Sequence, residues 1–325
     1  MSTNASARDR VASQPPTARR SNGPSGWRPG RGKGSSSRQA KAAWILALPF
    51  MLLFSVFTAG PVISSLYFSV TDIKSRDLRS PFAVSFVGLQ NYAHVFADER
   101  FRQSAFNTAY FLVIGVPLTL GIALAAALAL NTGITKFRTL FRVGYYTPVV
   151  TSIVAVAVVW RFLLRDDVGL VNTILGWVGI NGPNWLGSTT WAMPSLIVMA
   201  SWRNFGTAMI IFLAGLQSVP VMLHEAAAID GANNWQRFRH ITVPLLRPTI
   251  LFVTVTTGIG YLQFFEEPFV MTNGGPLDST LSMSMFTYQQ FGFGNYGFAS
   301  ATSYVLFVII VCLTAVQFRF LRSNT

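Results

Sequence analysis

Residues 224–248 read HEAAAIDGANNWQRFRHITVPLLRP, with two histidines, two acids and three arginines set between long apolar runs. The chain around them is 51% hydrophobic and only 11% charged, with a mean hydropathy of +0.43. A soluble domain carries about 25% charged residues, so these polar groups are too few to cover a water-facing surface. The composition is that of a membrane protein, and the quoted stretch is a polar loop between spans. Locally it reads as two short helices and a turn. Pro220 suits a first helical position, and VMLHEAAAID follows with good helix formers. Gly231 suits the left-handed residue that ends a helix. Asn233 or Asn234 can cap the second helix. Trp235, Phe238 and Ile241 then form an apolar stripe at i, i+3, i+6, and Pro244 and Pro248 stop that helix.

A helix needs about 20 mostly apolar residues to cross the hydrocarbon layer. Six segments qualify, at about 43–70, 106–130, 143–164, 191–216, 249–271 and 299–320. The third is valine-rich (SIVAVAVVW), yet a lone span can satisfy its backbone in lipid only as a helix. Orientation follows from the Lys/Arg bias of the loops. With the N-terminus cytoplasmic, seventeen basic residues fall inside and seven outside, leaving Arg203 within a span. The expected fold is an all-α membrane protein of six transmembrane helices with both termini cytoplasmic. Loop 217–248 then faces the cytoplasm.

The formal net charge is +13, but residues 1–41 hold nine Lys/Arg and one acid, so most of that charge sits in one tail. That tail is rich in Ser, Gly and Pro and has no apolar period, so it is expected to be a disordered, basic, cytoplasmic tail. It can touch anionic membrane lipid; no nucleic-acid partner is implied. Residues 42–325 are expected to form the six-helix transmembrane domain, with loop 217–248 on its cytoplasmic side. Gly32-Lys33 lacks Walker spacing, since Trp27 stands five residues before Gly32 and Gly34 follows Lys33. The first apolar run exceeds the roughly 7–15 residues of a cleavable signal core and reads as an anchor. Cys312 is the single cysteine, so no internal disulfide is expected. His94, His224 and His240 have no zinc-like spacing, and no G-x-S-x-G elbow occurs. No metal, cofactor or catalytic residue is expected, and the chain reads as a non-enzyme.

Glu225-Ala226-Ala227, Gly231 four residues on, then Ile241-Thr242-Val243-Pro244 resembles the EAA loop of ATP-binding-cassette importer permeases. Valine stands where that pattern usually has leucine. FVGLQNYAHVF (86–96), GLVNTILG (169–176), NWLG (184–187), IFLAGLQSVP (211–220) and TNGGPLDST (272–280) extend the resemblance to the carbohydrate-uptake branch. This is the maltose and glycerol-3-phosphate type, and its first permease subunit in particular. The resemblance covers roughly 43–322 and implies a type I importer permease fold in the cell (inner or plasma) membrane, without a large outer domain.

It also implies a coupling helix seated in a cleft of a cytoplasmic ATPase dimer. Glu225, Ala226, Ala227, Asp230, Gly231, Trp235, Phe238 and Pro244 are the residues expected to make that contact. Further implied partners are a second, homologous permease subunit completing a heterodimer and an extracytoplasmic solute-binding protein. With no Walker sequence, this chain borrows ATP hydrolysis from a partner.

Ionisable residues at bilayer depth mark functional sites. Arg203 lies near the middle of the fourth span with Trp202, Asn204 and Phe205; the fifth carries Tyr261, Gln263, Phe264, Phe265, Glu266 and Glu267. Polar groups match the hydroxyls of a sugar, and aromatic faces match the C–H faces of its ring. The resemblance places the solute site in these parts of the two spans. The other reading is that Trp202 and Phe264 pack helices and that Arg203 pairs with Glu266 or Glu267. The expected solute is a sugar, oligosaccharide or polyol phosphate. A stand-alone secondary transporter of a small polar solute is the alternative, but it favours an internal repeat that the six segments lack.

Overall fold

A computed structural model of the chain describes residues 35–77, 79–80, 84–132 and 138–321. The expected tail lies outside the described residues up to position 34. Its last seven residues, 35–41, are instead the first turns of helix α1 (Ser35–Phe54). Arg38, Gln39, Ala40 and Lys41 are good helix formers, and they lead directly into the apolar run.

The chain divides into two units, 1–58 and 59–325. In the first, α1 contains Pro49 and exposes Trp44, Ile45, Leu46 and Phe50. Side chains of that kind, all round a helix, are stable in lipid and not in water. A π turn at Ser55–Ala59 follows.

The second unit is helical throughout; among the described residues the only β pairing is a single bridge between Thr71 and Phe86. It comprises α2 (Gly60–Ser69), α3 (Gln90–Ala97), α4 (Glu99–Thr132), α5 (Arg138–Val150), α6 (Ile153–Leu163), α7 (Leu170–Trp177) and α8 (Ala192–Gln217). After α8 come α9 (Val221–Ile229), α10 (Asn234–Arg237), α11 (Val243–Leu245), α12 (Arg247–Leu262), α13 (Glu266–Met271), α14 (Met283–Gly292) and α15 (Tyr296–Leu321).

The core is built around α8, which packs along α4 and also meets α5, α12 and α13. Leu196, Ile197, Met199, Met209 and Phe212 of α8 are fully enclosed. Small residues let the backbones approach, as they do between membrane helices. A Cβ on Gly206 would stand 2.3 Å from the Tyr145 carbonyl oxygen of α5, a distance no side chain tolerates. A second wall is made by α15, which packs on α2, α3, α12 and α14.

Among the described residues, four helical runs are long and apolar enough to cross a membrane: Gln39–Ser69, Glu99–Asn131, Ala192–Gln217 and Tyr296–Arg319. These are the first, second, fourth and sixth expected spans. The other two are broken, so six is reached only by counting each bent pair as one span. The third span divides into α5 and α6, which meet at 103°. Pro148 removes a backbone donor near the end of α5, and Ser152 adopts an extended ψ of 127° before α6. The break lets α6 pack on α13. At the fifth, the bent pair is Asn234–Leu245 with Arg247–Leu262, meeting at 67°. Expected to run to 271, this span stops as a helix at Leu262, and Phe265, at φ −142°, separates it from α13. Pro268 within α13 cannot donate to the carbonyl four residues back.

Candidate functional site

The loop opens with α9. Pro220 (φ −61°, ψ 125°) is the cap residue before this helix and not its first residue. At the far end Gly231 sits at φ +80°. The Ala232 N–H donates to the Ala227 carbonyl at 2.9 Å and the Gly231 N–H to the Ala228 carbonyl at 3.1 Å. Those two bonds are the six-to-one and five-to-two pair of a Schellman stop, so the glycine is required by the turn. Asn233, one of the two expected candidates, caps α10 through a reciprocal pair with Gln236.

Beyond α10 the helix does not stop at Pro244 as expected. A π turn at Phe238–Thr242 carries the chain into α11, with Pro244 in its first turn, and the break falls at Leu246. Pro248 opens α12 instead of closing the preceding helix. Proline needs no N–H in a first turn, and the wider π turn supplies the space its ring requires.

No side chain of α9 is buried, and Ile229 is 87% exposed. Glu225, Ala226 and Asp230 face solvent, and Ala227 is half-buried. Among the described residues Glu225 has no ion-pair partner. The stripe behaves differently: Trp235 is exposed and its ring packs on Phe238 at 5.6 Å, while Phe238 and Ile241 are half-buried and Thr242 is buried. The loop is thus anchored by its second helix and leaves its first uncovered. A cleft of about 690 Å³ separates it from the ends of α4 and α8, between Leu128, Leu216, His224 and Trp235.

The ten residues expected along the solute path gather where α8 meets the α12–α13 break, but they sort into different roles. Phe205, Tyr261 and Phe264 are buried. Phe264 stacks on Phe111 at 3.9 Å with the rings 4° from parallel, and Phe205 packs against Tyr145 at 5.6 Å. The Tyr261 hydroxyl lies 2.7 Å from Thr119 Oγ1, which donates to Ser201 Oγ at 3.0 Å. Trp202 is partly exposed and packs on Trp160 at 5.7 Å. Gln263 and Glu266 are exposed, while Phe265 lies between Phe269 and Tyr288 at 5.1 and 5.2 Å.

Arg203 and Glu267 form no ion pair. Arg203 donates to Asn204 Oδ1 at 3.3 Å, and its Nε is buried without a partner. Glu267 is only 5% exposed, and its Oε2 has no partner among the described residues. Buried polar atoms are normally paired, so Arg203 Nε and Glu267 Oε2, both without a partner among the described residues, stand out at this junction. Sequence reasoning missed Thr119, Ser201, Phe111 and Trp160. Each sits in an apolar run at a spacing that marks it as core, and only the tertiary contact separates them from other core residues.

Residues 119–323 match the family described as the binding-protein-dependent transport system inner membrane component. The chain belongs to this family. The permease is 36% identical over 287 residues to the lactose transport system permease protein LacF of Rhizobium radiobacter, a match covering 86% of this chain and 94% of that one. It is 33% identical over 282 residues to the trehalose/maltose transport system permease protein MalF of Thermococcus litoralis, covering 87% and 94%. In fold, the permease matches a chain of a bacterial ABC transporter involved in import of the acidic polysaccharide alginate. That match has a TM-score of 0.75 at 24% identity and covers 90% of this chain and 98% of that one. A second structure of an alginate ABC transporter, in complex with an alginate pentasaccharide-bound periplasmic protein, gives 0.74 at 24% identity, covering 89% and 96%. The permease is therefore an integral membrane component of a binding-protein-dependent transport system. A stand-alone secondary transporter is not supported.

Proposed function

We propose that the permease is one of two homologous membrane subunits of an ATP-driven importer that carries a sugar, oligosaccharide or polyol phosphate across the cell membrane. The observation that carries the solute class is the alignment, over most of the chain, with permeases named for lactose and for trehalose/maltose. The exposed Gln263 and Glu266, and the aromatic Trp202 and Phe265 of the same junction, suit such a solute. Hydroxyls need donors and acceptors, and ring C–H faces need flat apolar surfaces.

In this reading six spans cross the membrane, α5 with α6 making the third and α12 with the segment after it the fifth, and both termini and loop 217–248 lie in the cytoplasm. The exposed α9, with Glu225, Ala226, Ala227 and Asp230, seats in a cytoplasmic ATPase dimer; Gly231, Trp235, Phe238 and Pro244 shape and anchor it. Closure of the ATPase pushes the loop, and through α8 and α12 it shifts the junction where Arg203 and Glu267 lie. An extracytoplasmic binding protein delivers solute to the outer face. ATP hydrolysis belongs to the separate ATPase subunit.

The test is sugar uptake into proteoliposomes holding the complete system, with ATP present or absent inside. ATP-dependent uptake that also needs the binding protein is the expected result. Uptake by this chain without the ATPase would overturn the proposal. Glu225→Lys is expected to uncouple ATP hydrolysis from uptake while leaving the chain in the membrane.

A further inference from the structure

At the N-terminal end of α4 a cavity of about 620 Å³ opens between that helix, the start of α8 and the turn after α13. Its size lies within the roughly 300–1,000 Å³ of small-molecule sites. Glu99, Arg100, Gln103, Phe106, Asn107 and Tyr110 line it from α4, at the spacing that puts them on one helix face. A face turned to lipid would be apolar. This one alternates charged, amide and aromatic groups, so it is built to meet water or a polar ligand.

Part of that face is committed to holding the wall in shape. Arg100 grips Asp278 with Nε at 2.8 Å and Nη2 at 3.0 Å, and the Asn107 amide donates to the Asp278 and Leu281 carbonyls at 2.7 and 2.9 Å. These contacts hold Leu277 and Asp278 at φ 49° and 57°, left-handed conformations unusual for residues with side chains. Leu277 stands at the rim, 91% exposed. Strain of this sort persists only where the surroundings over-determine it.

Of the remainder of the face, Gln103 donates to Asn107 Oδ1 at 3.1 Å, while the two aromatic side chains are left partly uncovered. Phe106 is 66% exposed and Tyr110 38%, with ring centroids 6.5 Å apart and planes 30° from parallel. The Tyr110 hydroxyl has no hydrogen-bond partner among the described residues. Across the cavity stand Thr189 and Thr190, and the Ser279 hydroxyl beside them is buried without a partner. Two partly exposed aromatic rings, an unpaired Tyr110 hydroxyl and the threonines opposite match a pyranose or furanose ring, which has an apolar C–H face and a polar edge.

We propose that the mouth of this cavity is a subsite for one sugar ring, in which Phe106 and Tyr110 receive the solute before it reaches the deeper junction at Arg203 and Glu267. The proposal rests on the reading of the permease as a sugar importer with this end of α4 outside the cell.

The experiment uses the complete transporter in proteoliposomes and four labelled sugars: lactose, trehalose, maltose and arabinotriose. Whichever the wild type carries is the probe for the variants. Phe106→Ala and Tyr110→Ala are expected to raise the KM of uptake about three- to tenfold with kcat little changed. Phe106→Tyr, which keeps the platform, is expected to restore the wild-type KM. Unchanged KM in both alanine variants would sink the subsite and leave the importer reading standing. Loss of uptake in step with loss of the co-purified partner permease would show a packing role and would also sink it. Failure of the wild type to carry any of the four would remove the sugar reading, and the subsite with it.

Discussion

Asn233 and Gln236 satisfy each other's backbone. The Asn233 side-chain oxygen accepts the Gln236 N–H at 2.8 Å, and the Gln236 side-chain oxygen accepts the Asn233 N–H at 2.8 Å. Two donors orphaned at a helix start are thereby paired. Together with the Schellman stop at Gly231, this fixes the corner between α9 and α10 without help from any other subunit. A helix held in place before its partner arrives loses less freedom on binding.

Gly231 is the position where that corner is most exposed to change. A Cβ there would meet nothing within 4 Å, so the penalty for a side chain comes from the backbone at φ +80°. That penalty is about 1–2 kcal/mol, small against a folded bundle but enough to misdirect an exposed helix. Gly231→Val is expected to insert normally yet lose ATPase attachment and coupled hydrolysis. Gly231→Asn, which tolerates the left-handed region, is expected to retain most of both. Equal behaviour of the two variants in co-purification and hydrolysis would show that conformation is not the cause.

Gln263 and Phe264 are adjacent in sequence and opposite in environment. Phe264 is 3% exposed and stacked on Phe111. Phe264→Ala is expected to cost about 3–5 kcal/mol through the cavity it leaves, lowering the thermal midpoint of the purified complex and its yield. Gln263 is exposed, and Gln263→Ala is expected to reduce uptake and alter selectivity among sugars at unchanged stability. A stable Phe264→Ala complex, or an unstable Gln263→Ala complex, would reverse these assignments.

Arg100 holds the Asp278 carboxyl below its ordinary value of 3.8, the guanidinium hydrogen bond outweighing the cost of partial burial. The folded value is thus lower than the unfolded one. The pair stabilises the protein at every pH above about 3.8, and that contribution is lost as pH falls through the folded value. Because Asp278 is one-third exposed, the contribution is about 0.5–1 kcal/mol. The difference in melting temperature between wild type and Asp278→Asn is expected to stay constant from pH 8 to pH 5 and to close only below about pH 4. A difference that closes near neutral pH would assign the effect to another group.

The side of the membrane on which α9 lies can be read by thiol labelling. Asn233 is the cap of α10, so the reporter is better placed at Ile229, which is exposed and holds nothing in place. Ile229→Cys in a Cys312→Ser background is expected to resist an impermeant maleimide in intact cells and to react after permeabilisation. Rapid labelling from outside would invert the proposed topology.

Hydropathy and loop chemistry were enough to find the first, second, fourth and sixth spans and the turn at Gly231. Both depend on neighbours in sequence: an apolar run has to be a helix in lipid, and only glycine reaches φ +80° without penalty. The same local reasoning failed at the prolines. Pro244 and Pro248 mark places where a hydrogen bond is missing, but whether the chain stops, bends or widens into a π turn depends on what packs against it. Thus the third span broke so that α6 could reach α13, and the fifth stopped at Leu262. That Arg203 and the acids of the fifth span would stand out was legible because a charged residue in an apolar run is costly wherever it lies. Its sorting was not. That Phe264 packs while Gln263 faces out, that Thr119 joins Tyr261, and that Arg203 and Glu267 form no ion pair with each other were decided by helices brought together from distant parts of the chain. Only the tertiary fold sets those distances.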